Sequence, residues 1–349
     1  MIHQDKGTVK LLDCTLRDGG QGLEAINKNY TKTKVFSDEE KIKIIEYAKK
    51  ADFDIIEIGC ISHVSPANPE MAIYPSIEAL SEFLPKEKNA AQLYTGLFIG
   101  PDTPLDFIPD ASESMVEGVR LILRYSELQK SIDYCRGLAK KGYKVFMQPM
   151  LTMRYTDDEL SKIIDAANEM KAYALYIVDS YGYMTEKDLE RLYRFYDERL
   201  DKDIHIGFHA HNNMSNAFMN AKYFIENLVS RDCIVDACAM GMGQGAGNLQ
   251  TEIIANYLNE KYDAHYDFAQ ILEMCEILDA FRMHDKETWG YSTLNFISAR
   301  HRAAYKYASE MRYNRKMSFS EIDKVFDKMP YDLKQRYTKE SLEKVLNLE

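Results

Sequence analysis

The sequence alternates short apolar runs with longer segments in which apolar residues recur at helical spacing, and this alternation repeats eight times. The short runs are nearly continuous in apolar residues, which is typical of parallel strands that are buried on both faces. We therefore predict eight strands, at Val9 to Leu16, Asp54 to Ile61, Leu93 to Ile99, Gly118 to Arg124, Lys144 to Met150, Ala174 to Val178, Ile204 to Phe208 and Cys233 to Met240.

The longer segments carry the residues that typically begin helices. Ser37 is followed three residues later by Glu40, and Thr156 is followed at the same spacing by Glu159, so each pair predicts a capping box. Between the first strand and the helix at Ser37, the polar and basic residues predict a loop from Leu23 to Phe36.

Eight strand-then-helix units predict a parallel sheet that is covered by helices, and eight is the number that closes a (β/α)8 TIM barrel. An open doubly wound sheet is the alternative, but no glycine-rich dinucleotide turn follows the first strand. After residue 262 the alternation stops, and Phe268 to Arg282, Thr293 to Met311 and Ser320 to Lys328 have helical spacing. We predict a catalytic barrel over residues 1–262 and a helical C-terminal extension over residues 263–349.

Composition narrows the classes of partner. The length of 349 residues suits one barrel with an appendage. A formal charge of −11 provides no basic surface for phosphates, so we expect no nucleic-acid partner. No apolar stretch reaches the length of a membrane span, and none of the six cysteines forms a Cys-x-x-Cys pair. We expect a cytoplasmic protein with no membrane partner.

The first strand runs into a polar motif. Arg17 and Asp18 stand side by side after an apolar run, and Gly19 and Gly20 follow them. At the mouth of a barrel, Arg17 would hold a carboxylate or an enolate, and Asp18 would ligate a divalent metal. The alternative is a strand end with a local salt bridge.

The seventh strand ends in a His-x-His motif, His209 and His211. Residues two apart on an extended segment point the same way, so both imidazoles can meet one ion. With Asp18 as a third ligand, the set suits Mn²⁺, Mg²⁺, Co²⁺ or Zn²⁺. The alternative is a pair of polar residues at the entrance of a loop.

The eighth strand leads into a loop with four glycines, Gly241 to Asn248. Asn248 is either a helix N-cap or, through its side-chain oxygen, a further metal ligand. In the extension, Tyr291 would supply a phenolic proton if this segment folds over the mouth, and otherwise it packs as an aromatic residue. Glu57 lies in an apolar strand and needs a partner inside the barrel, and Arg120 or Arg124 on the fourth strand is the expected partner.

Together, the stretch Asp13 to Gln21, the run Gly207 to Asn213 and the loop Gly241 to Asn248 resemble the DRE-TIM metallolyase superfamily. The later part of the glycine loop and the residues around Tyr291 look most like its 4-hydroxy-2-oxovalerate aldolase branch. The resemblance covers about the first three quarters of the chain.

The resemblance implies a role for each matching residue. It implies that Asp18, His209 and His211 bind the metal, and Asn248 matches a ligand of the lyase branch. Arg17 matches the arginine that stabilises the enolate. Tyr291 matches an active-site tyrosine of the aldolases.

Gln21 is a departure from the aldolase pattern. The oxovalerate aldolases carry a histidine base at this position, whereas the lyase and synthase branches carry glutamine. A glutamine cannot act as a general base, so another group would have to accept the proton.

We expect a divalent-metal enzyme, with Mn²⁺ as the first choice of ion, that makes or breaks a carbon–carbon bond beside a 2-oxo acid. Its partners would be a small 2-oxo or hydroxy-oxo acid and a second copy of the chain in a homodimer. The alternatives are an acyl-CoA-dependent Claisen synthase or a hydroxymethylglutaryl-CoA lyase-like enzyme with the same metal ligands, and a non-catalytic barrel that binds a ligand or a partner chain.

Overall fold

The computed structural model describes residues 7–29, 34–64, 67–87, 89–284 and 289–346. Its centre is a closed barrel of eight parallel strands, and pairing of the first strand with both the second and the last closes it. A ninth, two-residue strand (β3) pairs in parallel with the last two residues of β2. The strands are β1 Val9–Asp13, β2 Ile55–Ile61, β3 Ile73–Tyr74, β4 Leu93–Phe98, β5 Gly118–Leu123, β6 Lys144–Pro149, β7 Ala174–Asp179, β8 His205–Ala210 and β9 Cys233–Ala237. The predicted (β/α)8 TIM barrel is confirmed.

Helices surround the barrel and continue beyond it. They are α1 Thr15–Asn29, α2 Asp38–Lys50, α3 Ile77–Ser81, α4 Leu128–Lys140, α5 Asp157–Met170, α6 Glu186–Asp197, α7 Ala217–Tyr223, α8 Thr251–Tyr262, α9 Phe268–His284, α10 Thr293–Arg300, α11 Tyr305–Ser309, α12 Phe319–Lys328, α13 Tyr331–Lys334 and α14 Lys339–Leu346. Capping boxes begin α2 at Ser37 and α5 at Thr156, as predicted. Among the described residues, no helix is both long and apolar enough to cross a membrane.

The beginning of the chain differs from the prediction. The first strand ends at Asp13, because the Asp13 carboxylate accepts hydrogen bonds from the backbone N–H and hydroxyl of Thr15 and turns the chain into α1. The predicted loop from Leu23 to Phe36 is therefore wrong as far as Asn29, and residues 30–33 of it lie outside the described residues. A Cβ built on Gly20 would lie 1.9 Å from the carbonyl oxygen of Met71, so this glycine allows close helix packing and does not form a turn.

The C-terminal helices pack in two ways. Helix α9 belongs to the barrel core, where its buried residues lie against α2; these are Ile271, Met274, Leu278 and Phe281. Helices α10 to α14 build a second apolar core that also includes Leu151, Tyr181 and Tyr183 from the loops after β6 and β7. The segment predicted as one helix from Thr293 to Met311 is interrupted after Arg300, and Arg302 in this break has a positive φ of 55°. The division into residues 1–262 and 263–349 stays a prediction.

Candidate active site

Three predicted ligands meet at the C-terminal mouth of the barrel. Asp18 lies in the first turn of α1, His209 lies on β8, and His211 follows two residues later. Their ligand atoms all lie within 4.8 Å of one another, and all three residues are enclosed by protein. The strand register explains this meeting, because β8 and β1 both lie beside β9 and end at the same edge.

Asn248 completes the group. It pairs with His211 across an isolated antiparallel bridge, and its side-chain nitrogen donates to the carbonyl of Met242 at 2.9 Å. That hydrogen bond fixes the amide, and the Oδ1 atom is left buried with no hydrogen-bond partner among the described residues. Asn248 is not the N-cap of α8, because the helix begins at Thr251 after Gln250.

These residues fit a divalent cation. Asp18 Oδ1 is also buried without a hydrogen-bond partner among the described residues. Buried unpaired oxygens are costly, and a cation would satisfy both. Two imidazole nitrogens, a carboxylate and an amide oxygen are a donor set that Mn²⁺, Mg²⁺, Co²⁺ or Zn²⁺ accepts.

The protonation of the ligands follows from burial and neighbouring charge. Burial would raise the pKa of Asp18, but the Arg17 guanidinium and then His209 hold that pKa well below its usual value. Burial lowers the pKa of His211 to about 4, although Asp18 opposes the change. His211 is therefore neutral at physiological pH and offers a lone pair. Burial would also lower the pKa of His209, but the carboxylates of Asp18 and Asp236 outweigh it and raise that pKa well above its usual value.

Arg17 lies directly beside the ligands. Its Nη1 donates to Asp18 Oδ2 at 2.6 Å and to Gln21 Oε1 at 3.3 Å, and its Nε donates to Glu57 Oε2 at 2.7 Å. The guanidinium is buried, so its charge acts on its neighbours with little screening by water. Gln21 therefore contacts the arginine.

A row of buried charges continues across the barrel. Arg120 Nη1 donates to Glu57 Oε2 at 2.8 Å, which confirms the predicted internal salt bridge, and Arg120 Nη2 donates to Asp236 Oδ2. Asp236 Oδ2 also lies 2.9 Å from His209 Nδ1. We call Arg17, Glu57, Arg120 and Asp236 the barrel charge row. The alternative partner for Glu57, Arg124, instead pairs with Glu127.

Asp236 was missed by sequence reasoning. The sequence does contain a signal for it. A single aspartate within the apolar run Cys233–Ala237 needs a buried partner, as Glu57 does. Asp236 forms a second group of potential ligands with Cys14 and His209. This group does not fit a metal, since both Asp236 oxygens already accept hydrogen bonds, from Arg120 and from Tyr176.

Tyr291 is the predicted site residue whose side chain is exposed in the structure. It is 68% exposed and lines a cavity of about 360 Å³. Met240 and Ala246 also line this cavity, so it adjoins the glycine loop that carries Asn248. The neighbouring Trp289 is buried and donates its indole N–H to the carbonyl of Met240 at 2.8 Å.

A closed (β/α)8 barrel with this set of potential metal ligands at its C-terminal mouth is typical of a class, the barrel enzymes that work with a divalent metal. Residues 103–278 match the HMGL-like family model, which covers half of the chain. The chain belongs to the HMGL-like family, which is a DRE-TIM metallolyase family.

Several curated relatives are named 4-hydroxy-2-oxovalerate aldolase. The 4-hydroxy-2-oxovalerate aldolase of Geobacillus genomosp. 3 is 27% identical over 277 residues, covering 78% of this chain and 77% of the relative. The 4-hydroxy-2-oxovalerate aldolase of Thermomicrobium roseum is 30% identical over 257 residues, covering 72% of this chain and 67% of the relative. The chain is thus similar to aldolases over most of its length.

Solved structures share the fold. The N-terminal domain of a putative aldolase from Bacteroides vulgatus superposes with a TM-score of 0.73 at 21% identity, covering 90% of this chain and 99% of that domain. Hydroxymethylglutaryl-CoA lyase from Pseudomonas aeruginosa superposes with a TM-score of 0.63 at 16% identity, covering 82% of this chain and 95% of the lyase. Family membership and the curated relatives identify the protein as a metal-dependent carbon–carbon lyase.

Proposed function

We propose that this lyase is an aldolase that cleaves or forms the bond beside a 2-oxo acid through a pyruvate-type enolate. The observation that carries the proposal is the buried Arg17 guanidinium, 2.6 Å from Asp18 in the group with His209, His211 and Asn248. The name shared by the curated relatives, 4-hydroxy-2-oxovalerate aldolase, supports a small hydroxy-oxo acid as the substrate.

The chain's own residues would act as follows. A divalent cation held by Asp18, His209, His211 and Asn248 would supply a Lewis acid for the keto oxygen and carboxylate of the substrate. Arg17 would donate hydrogen bonds to the enolate oxygen as negative charge develops there, and its fixed, buried position gives this interaction its strength. Glu57 orients Arg17 through Nε, and the Nη1 end of the guanidinium lies beside Asp18 at the mouth.

Gln21 and Tyr291 are the remaining predicted site residues. Gln21 cannot accept a proton, and we propose that it positions Arg17 instead. We propose Tyr291 as the group that delivers a proton to the enolate. Its place on the rim of a cavity that reaches the glycine loop supports this role.

Three further proposals concern the metal ion, the oligomeric state and the cellular location. Mn²⁺ is the ion we propose, because two imidazoles with a carboxylate and an amide oxygen favour a borderline cation. We propose a homodimer formed through the extension, which exposes aromatic side chains at Phe296, Phe319 and Tyr331. We propose a cytoplasmic location because all six cysteines are free.

Exchange of the methyl protons of pyruvate in heavy water tests the proposal. The purified protein is assayed by NMR with Mn²⁺, Mg²⁺, Co²⁺ and Zn²⁺ in turn, and exchange is expected with at least one of them. D18A and H209A should lose both exchange and bound metal. H205Q is the matched control, because His205 lies on the same strand at the opposite end. Full exchange by D18A or H209A, or no exchange by the wild type with any ion, would overturn the proposal.

Gln21 favours one alternative, an acyl-CoA-dependent Claisen synthase, because the synthase branch carries glutamine there. Acetyl-CoA and a 2-oxo acid are incubated with the metal-loaded protein, and free thiol is followed colorimetrically. Steady thiol release would favour the synthase, whereas pyruvate release from a 4-hydroxy-2-oxo acid would favour the aldolase.

A further inference from the structure

His209 uses both of its ring nitrogens. Nε2 lies 3.3 Å from Asp18 Oδ2, toward the metal ligands, and Nδ1 lies 2.9 Å from Asp236 Oδ2. Without a cation both nitrogens face carboxylates, which favours the protonated ring. A cation would replace the hydrogen on the nitrogen that binds it, and the neutral imidazole that results carries its one hydrogen on the other nitrogen. The group that faces Nδ1 therefore decides whether His209 can serve as a ligand through Nε2.

Asp236 faces Nδ1 as an acceptor. Its Oδ2 accepts a hydrogen bond from Arg120, and its Oδ1 accepts one from the hydroxyl of Tyr176 at 2.9 Å. Arginine has no acceptor atom, so it can only donate to this carboxylate. With both oxygens accepting, the remaining contact requires His209 Nδ1 to donate, which leaves Nε2 as the nitrogen that would bind a cation beside Asp18.

Arg120 links this arrangement to the anion-binding arginine. Its side chain is fully enclosed and contacts Asp236 on β9 and Glu57 on β2. Glu57 Oε2 in turn accepts from Arg17 Nε at 2.7 Å. One rigid guanidinium therefore fixes the partners of both His209 and Arg17.

We propose that Asp236 and Arg120 are positioning residues. Asp236 holds His209 in the tautomer whose Nε2 binds the metal, and Arg120, by holding Asp236 and Glu57, fixes the position of that histidine relative to Arg17. This inference rests on the proposed function, because it assigns the two residues to the same metal site. Neither residue touches the substrate. Their effect reaches the chemistry through His209 and Arg17.

The test compares the metal affinity of D236N with that of D232N. Asp232 lies four residues earlier and binds Thr8 on the surface, so D232N makes the same chemical change away from the site. Competition with a metal-sensitive dye gives the dissociation constant for Mn²⁺ in the absence of substrate. We expect D236N to bind about 10- to 100-fold more weakly and D232N to bind as the wild type does.

Two further measurements separate positioning from folding. Y176F removes only the hydrogen bond to Asp236 Oδ1, so it should fold and weaken Mn²⁺ binding by a few-fold. In protein labelled with ¹⁵N-histidine and loaded with Zn²⁺, the wild type should carry its His209 hydrogen on Nδ1, and D236N should lose this single state. A general loss of packing would lower the unfolding temperature without changing the tautomer.

The outcomes are distinct. Wild-type affinity together with an unchanged His209 tautomer in D236N would overturn the inference and leave the proposed function intact. A wild type that binds no divalent metal would overturn both. Weaker binding by D236N with an altered tautomer, and unchanged binding by D232N, would support the inference.

Discussion

Gly243 lies against two of the proposed metal ligands, Asn248 and Asp18, so its replacement by alanine is a sharp test of the site. A Cβ built at this position lies 2.1 Å from Asn248 Nδ2 and 2.9 Å from Asp18 Oδ1. Real Cβ atoms approach neighbours to about 3.4 Å, so the Asn248 amide must move by about 1 Å. It cannot move without breaking its hydrogen bond to Met242, and it would carry its Oδ1 away from the other ligands.

A misplacement of about 1 Å at a catalytic group costs about 100-fold in rate. We therefore expect G243A to lose about 10- to 100-fold in Mn²⁺ affinity and at least as much in the rate of pyruvate proton exchange. Overpacking should also lower the free energy of unfolding by about 1–3 kcal/mol. Dye competition measures the affinity, NMR measures the exchange, and urea unfolding measures the stability.

G142A is the control. A Cβ on Gly142 has only the Ala111 Cβ as a close neighbour, at 3.6 Å, but φ there is +86°. The backbone strain should cost about 1 kcal/mol in stability and leave metal affinity unchanged. If G243A binds Mn²⁺ as tightly as G142A does, then Asn248 is not a ligand and the loop does not shape the site.

The remaining predictions concern chemistry, packing and pH. R17K keeps the charge but loses the fork that spans Asp18 and Glu57, so the rate of pyruvate proton exchange should fall about 100- to 1,000-fold. Mn²⁺ affinity from dye competition should be nearly unchanged, and comparable losses in rate and affinity would refute the role of Arg17 in stabilising the enolate. L278A, at a fully buried position of α9, should lower the free energy of unfolding in urea by about 2–5 kcal/mol. L272A, at a position of the same helix that is 52% exposed, should lower it by less than about 0.5 kcal/mol. Equal losses would show that α9 does not pack into the barrel core. Burial raises the pKa of Asp13 from 3.8 to about 7, so folding favours the protonated carboxyl. The wild type should therefore lose about 4 kcal/mol of stability as the pH rises from about 4 to about 8, and D13N should not show this loss. Parallel pH profiles of the two proteins in urea unfolding would contradict this.

The barrel could be predicted because its strands are nearly continuous apolar runs. The His-x-His pair was predictable for a related reason, since a strand repeats every two residues and His209 and His211 must share a side. An arginine partner for Glu57 was predictable because a charge inside an apolar strand requires a partner, but only the structure distinguishes Arg120 from Arg124. Each of these predictions depends on local periodicity or on the cost of burying a charge.

Helix α1 was not predictable on these grounds. Its sequence contains Gly19 and Gly20, which disfavour a helix by about 1 kcal/mol each. Tertiary packing overrides that preference, because Gly20 lies against the backbone of Met71, far along the chain. The second apolar core is a similar case, since Tyr181 and Tyr183 gain their partners from the extension only after folding.

The barrel charge row also constrains how this protein can change over generations. Removal of Arg120 or Asp236 alone takes one ion-pair partner from the other buried charge, which costs up to about 3–5 kcal/mol of a total stability of about 5–15 kcal/mol. Replacement of both by apolar residues of similar size avoids that penalty, so R120M/D236L should be less destabilised than the sum of its single variants. A lineage that loses catalysis is therefore expected to retain both charges or to have replaced both, because each single step passes through a less stable intermediate sequence.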